Sequence, residues 1–201
     1  AHVQVLQSLA LEALPGVRVT LVSPFARQLY SGMVPGLVAG HYRIEDCAIP
    51  LLPLAQRAQA VFVESSAIRI DAGTRQVTLA DAQVLRYDVL SIDTGPVMDR
   101  DAIAGAREHG MFVRPIEHFA RMWDALLVLS EQRGLSVAVI GAGAAGVELA
   151  MAMQYRLGER ARVSLVTGGS AALTGYPAAV QVRARNALRR LSITVLEDTC
   201  V

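Results

Sequence analysis

Lysine is absent, because all 19 basic residues of the 201-residue chain are arginine. Without it this stretch cannot form a Schiff base, anchor pyridoxal phosphate or supply a P-loop lysine. Cysteine is nearly absent too. Cys47 and Cys200 are far apart and in no CxxC arrangement, so a disulfide scaffold, a zinc site and a CxxC redox pair are all unsupported. The four histidines, His2, His41, His109 and His118, lack ligand spacing, and no metal is expected. A large charge of either sign is also missing: the net charge is +1, so nothing steers the chain toward nucleic acid. Arg183, Arg185, Arg189 and Arg190 read as the solvated face of a helix. No charged segment followed by an apolar run marks a signal peptide. A cytoplasmic setting is therefore expected, with a station peripheral to the inner face of the membrane as its variant.

What is plentiful is apolar, at 53% of residues, ample for a packed core. The most apolar run, residues 135–153, is almost long enough to span a bilayer. Glu148 and three glycines inside it argue against a span. The run reads instead as a short strand, Ser136 to Ile140, a turn at Gly141, Gly143 and Gly146, and a small-residue helix. That order is the dinucleotide-binding fingerprint: the glycines permit the tight turn, the approach of backbone to a diphosphate, and close helix–strand packing. The amides and the positive end of the helix then face the phosphates. A buried strand-turn-helix that holds no ligand is the plainer alternative.

The rest of the chain falls into place around it. A helical stretch, His2 to Leu14, ends at Pro15-Gly16 and precedes a β-branched strand, Val17 to Val22. Helix then strand is the second half of a βαβ unit, whose first strand and glycine turn would belong upstream of Ala1. Residues 23–59 form a long connection with a short helix, which at this length is expected to be functional. Helix Pro53 to Ala60 leads to strand Val61 to Ser65, followed by a meander over Ala67 to Asp71, Arg75 to Ala80 and Gln83 to Ile92. Its last run, Tyr87 to Ile92, is expected to be a buried strand ending at Asp93-Thr94-Gly95. After a polar linker, Pro115 to Glu131 is an amphipathic helix with Ile116, Phe119, Met122, Trp123, Leu126 and Leu127 inward. Strand Ala161 to Thr167, helix Val180 to Leu191 and strand Ser192 to Leu196 complete a mononucleotide-binding half.

Two further matches stand beside Gly141, Gly143, Gly146, Glu148 and Ala150, which form GxGxxGxExA. Asp93-Thr94-Gly95 matches an xTG segment, and Tyr30-Ser-Gly-Met-Val-Pro-Gly-Leu-Val-Ala-Gly-His-Tyr42 matches a segment that runs beside a flavin. On these the chain resembles the two-dinucleotide-binding flavoproteins: glutathione-reductase-like enzymes, type II NADH dehydrogenases and sulfide:quinone oxidoreductases. The branch it resembles most is associated with selenide, water dikinase. The resemblance implies an α/β fold with a partial FAD-binding Rossmann-like domain and meander over 1–112, then a partial NAD(P)-binding Rossmann-like domain with a parallel sheet over 113–201. It implies FAD and NAD(P)H as cofactors, with contacts at Ser23, Pro24, Ala67, Asp93, Thr94 and Gly95, and at Gly141, Gly143, Ala144, Ala145, Gly146, Glu148 and Thr167. It also implies hydride transfer from the nicotinamide to the flavin and onward to a small-molecule electron acceptor, a quinone among the options. No side-chain acid, base or nucleophile is required, because the cofactors carry the chemistry; Glu148 is the one catalytic candidate. A homodimer, and a membrane contact through regions outside 1–201, stay open.

The chain departs from that pattern in places. The carboxylate that would hold the adenosine ribose is replaced by Ser23 in the first half and Thr167 in the second, and no arginine adjoins Thr167. NADH against NADPH therefore stays open. The loop from Tyr30 to Tyr42 has no cysteine, and Cys47 reads as a small buried hydrophobe rather than a redox thiol. The rival to an oxidoreductase is a nucleotide-binding regulatory or interaction module without turnover.

Overall fold

The computed structural model describes residues 2–201. In chain order its elements are α1 (His2–Leu11), β1 (Thr20–Ser23), β2 (Arg27–Leu29), α2 (Val34–Ala39), β3 (Ala48–Pro50), α3 (Leu51–Arg57), β4 (Val61–Glu64), β5 (Ala67–Asp71), β6 (Gln76–Leu79) and β7 (Val84–Arg86). The second half adds α4 (Ala106–His109), α5 (Ile116–Gln132), β8 (Leu135–Ile140), α6 (Ala144–Leu157), β9 (Ala161–Val166), α7 (Ala178–Arg190) and β10 (Thr194–Leu196). No helix among the described residues is long and apolar enough to cross a membrane.

The chain divides into two compact units, residues 1–28 with 48–96, and residues 29–47 with 97–201. In the first, β1 and β4 pair in parallel, Thr20 opposite Val61 through Ser23 opposite Glu64. Leu6 of α1 and Leu54 and Ala58 around α3 form its small core. β5, β6 and β7 make the expected antiparallel meander. The expected buried strand over Tyr87 to Ile92 does not form. Val89 is 89% exposed and Ile92 61% exposed. An extended run becomes a strand only when a neighbour satisfies its backbone groups, and none of the described strands pairs with this one.

In the second unit β8, β9 and β10 form a parallel sheet in the order β10-β9-β8. β9 lies between two strands and is buried almost throughout, whereas on β8 burial alternates with Leu135, Val137 and Val139 inward. α6 buries Val147, Leu149, Ala150, Ala152, Met153 and Leu157. So broad an apolar surface needs cover on more than one side. The sheet supplies one cover and α2 another: Val34 and Val38 join the same core, a packing that the periodicity of residues 30–42 did not reveal. Phe119 and Trp123 of α5 are buried in that core as expected. Met122 is instead 45% exposed, because at 100° per residue it falls about 90° from the centre of the buried stripe.

Candidate functional site

The site is built at the carboxyl edge of this second parallel sheet. Ile140, Val166 and Leu196 lie in register at the ends of β8, β9 and β10, so the loops that follow all leave from one edge. Gly141 N–H donates to Val166 O at 2.9 Å and Thr167 N–H to Leu196 O at 2.9 Å, which carries the pairing one residue beyond the strands.

At Gly141 φ is +101°, a conformation open to glycine and strained for any residue with a Cβ. A Cβ at Gly146 would lie 1.7 Å from the Gly141 carbonyl oxygen, so the helix can start this close to the turn only without a side chain there. A Cβ at Gly143 would meet nothing within 4 Å: the space in front of the turn is open. Gly143 is also the N-cap of α6, and no side chain caps the helix. The first-turn amides of a helix have no intrahelical acceptor. Ala144 and Ala145, the next two residues, add only methyl groups. The result is a concave backbone surface with donors and the positive end of a 14-residue helix behind it, which is the chemistry that receives a diphosphate. Glu148 lies one turn further on and is exposed.

The loop after β9 folds back over the turn, with Leu173 N–H donating to Ala142 O at 2.9 Å. Thr167 is 8% exposed, and its hydroxyl oxygen accepts from Gly169 N–H at 3.2 Å. The third loop was not singled out in the sequence, because nothing in its spacing marks it. Thr199 N–H donates to Thr167 O and Asp198 N–H to Gly169 O, both at 3.0 Å, so residues 197–199 are fastened alongside 167–169.

The residues expected in the first unit fall into two groups. Ser23, at the end of β1, forms a tight turn with Phe25: Phe25 N–H donates to its hydroxyl oxygen at 3.3 Å and the hydroxyl donates to Phe25 O at 3.1 Å. Pro24 lies inside that turn. Ser65 N–H donates to Ser23 O at 3.0 Å, which brings the turn beside the start of β5 at Ala67. Asp93 is placed at the beginning of α1, where its carboxylate accepts from His2 N–H at 2.8 Å. Thr94 follows, and Gly95 takes a positive φ of 71°.

Neither cysteine is disulfide-bonded, and Cys47 is buried at 2% exposure. Burial, assisted by the Asp46 charge, pushes its thiol up, the reverse of what a nucleophilic thiolate needs. No group of histidines, cysteines or carboxylates among the described residues could hold a metal.

Comparison with known proteins agrees with this geometry. Residues 4–201 match the pyridine nucleotide-disulphide oxidoreductase family. The chain is 26% identical over 189 residues to the demethylphylloquinone reductase NdbB of Synechocystis sp., covering 91% of this chain and 47% of that protein. It thus spans about half the length of that relative. Among solved structures, the sulfide:quinone oxidoreductase of Aquifex aeolicus superposes with a TM-score of 0.80 at 22% identity, over 99% of this chain and 49% of the other. NDH2 of Plasmodium falciparum, solved with NADH, superposes with a TM-score of 0.79 at 19% identity, over 90% and 43%. With a match that runs almost end to end and a glycine turn of the required shape, the chain belongs to the pyridine nucleotide-disulphide oxidoreductase family.

Proposed function

We propose that this chain carries the nicotinamide-nucleotide site, and part of the FAD site, of an FAD-dependent NAD(P)H oxidoreductase whose second acceptor is a small molecule of the quinone class. The observation that carries the proposal is the open turn at Gly141, Gly143 and Gly146, backed by the uncapped start of α6. A diphosphate fits this surface because the donors at the uncapped start of α6 are backbone amides and the neighbouring Ala144 and Ala145 add only methyl groups. When bound, the nicotinamide supplies a hydride and the flavin accepts it. The protein's own part is to hold the diphosphate on the amides of residues 143–146, to set the adenosine end against residues 167–169, and to keep water from the reacting rings. Ser23, Pro24 and Ala67 in one group and Asp93, Thr94 and Gly95 in the other are assigned to the flavin nucleotide, with residues 1–112 as the FAD-binding domain and 113–201 as the NAD(P)H-binding domain. Glu148, exposed beyond the first turn of α6, is the residue assigned to the nicotinamide end. Membership of the family and the quinone reductase among the relatives support the acceptor class.

The test is the absorption spectrum of the intact protein. A yellow protein with flavin bands that bleach on adding NADH under nitrogen, and recover on adding a short-chain quinone, is the expected result. A colourless protein that binds NADH without oxidising it would identify a nucleotide-binding module without turnover. Thiol–disulfide exchange is separated by Cys47→Ser, which on that reading abolishes turnover with the second acceptor and on the present one leaves turnover unchanged.

A further inference from the structure

The carboxylate that usually grips the adenosine ribose is missing from the end of β9, where Thr167 stands with its hydroxyl oxygen already accepting from Gly169. We infer that Asp198 supplies that carboxylate from the neighbouring loop and makes the site selective for a nucleotide with a free ribose 2′-hydroxyl. The inference rests on the nucleotide site proposed above and names the residue that discriminates within it.

Four observations carry it. The first is position: residues 197–199 leave β10 at the same edge as the glycine turn and are fastened to 167–169 through Thr199 N–H to Thr167 O and Asp198 N–H to Gly169 O. With neighbouring strands about 4.8 Å apart, the loop after β10 stands about 10 Å from the turn after β8, within the reach of an adenosine whose diphosphate lies on that turn. The second is room: a Cβ at Gly168 would meet nothing within 4 Å, so the loop between Asp198 and the turn leaves the approach open. The third is availability. Asp198 is exposed, and among the described residues no hydrogen bond or ion pair engages its carboxylate. Its φ of 49° lies in the left-handed region, which turns the residue out of the line of β10. The fourth is charge: residues 167–175 and 197–201 contain Glu197 and Asp198 and no arginine. A carboxylate accepts hydrogen bonds from a ribose diol with charge assistance and repels a 2′-phosphate, whereas nothing here would neutralise that phosphate.

The test uses ADP-ribose and 2′-phospho-ADP-ribose, which carry the adenosine end and cannot transfer hydride, titrated calorimetrically into the intact protein and its Asp198→Asn variant. Asparagine preserves shape and tolerates the left-handed backbone, so the variant folds. The wild type is expected to prefer ADP-ribose, and the variant to lose roughly tenfold of that preference, as removal of one charge-assisted contact implies. Because the preference is a ratio measured on one preparation, partial misfolding does not alter it. An unchanged ratio in the variant, or a wild type that prefers the 2′-phosphate, overturns the role of Asp198 and leaves the nucleotide site standing. If neither compound binds the wild type, the site itself is wrong and the role falls with it.

Discussion

Single residues decide whether the turn can exist. With a Cβ 1.7 Å from the Gly141 carbonyl oxygen, Gly146→Ala has to push α6 away from β8. It is expected to lose ADP-ribose binding and about 1–3 kcal/mol of stability, read from urea unfolding. An alanine variant that still binds normally would mean the turn is not the diphosphate site. Asp71 offers a check on pH. Thr74 donates to its carboxylate, the backbone N–H at 3.0 Å, and holds it below the ordinary carboxylate range. Its folded value lies under its unfolded one, so the turn gains stability above the unfolded value and loses it as pH falls through the folded value. A carbon-detected NMR titration should find its midpoint below about 3.9, the value for a free aspartate. A midpoint at or above that value would show the turn open in solution.

Elements depend on what joins them, and here the sequence was legible only in part. The strand-turn-helix of residues 135–157 could be read directly because its three glycines and its apolar strand are adjacent in the chain. The run from Tyr87 to Ile92 could not, since its character depends on a partner strand and not on its own residues. Asp198 was illegible for a related reason: two backbone hydrogen bonds between loops place it, and a backbone bond leaves no trace in side-chain pattern. Gln154 is a third case. It sits on α6, yet its amide nitrogen donates to Gly158 O at 2.9 Å and Ala161 O at 3.2 Å while its oxygen accepts from Val163 N–H at 3.0 Å. One side chain thus fixes the passage from α6 to β9. Gln154→Ala removes three bonds and leaves a partly buried N–H without an acceptor, an expected loss of about 1–3 kcal/mol. Urea unfolding followed by Trp123 fluorescence measures it, and a loss below 0.5 kcal/mol, which is roughly the floor for one hydrogen bond, would show that solvent replaces the clamp.

At the scale of the molecule, the second unit is discontinuous in sequence, since residues 29–47 pack with 97–201. A polypeptide of residues 97–201 alone would present to water the α6 surface that Val34 and Val38 cover. It is expected to unfold without a sharp transition and to bind a hydrophobic dye such as ANS, whereas addition of a peptide of residues 29–47 restores the transition. Cooperative unfolding of 97–201 without the peptide would show α2 to be an accessory. The same discontinuity bears on biosynthesis. α2 leaves the ribosome roughly a hundred residues ahead of α6, and contacts so distant in sequence form late. Until then the nascent chain carries a sticky segment with no surface to rest on, the moment at which a chaperone would find it.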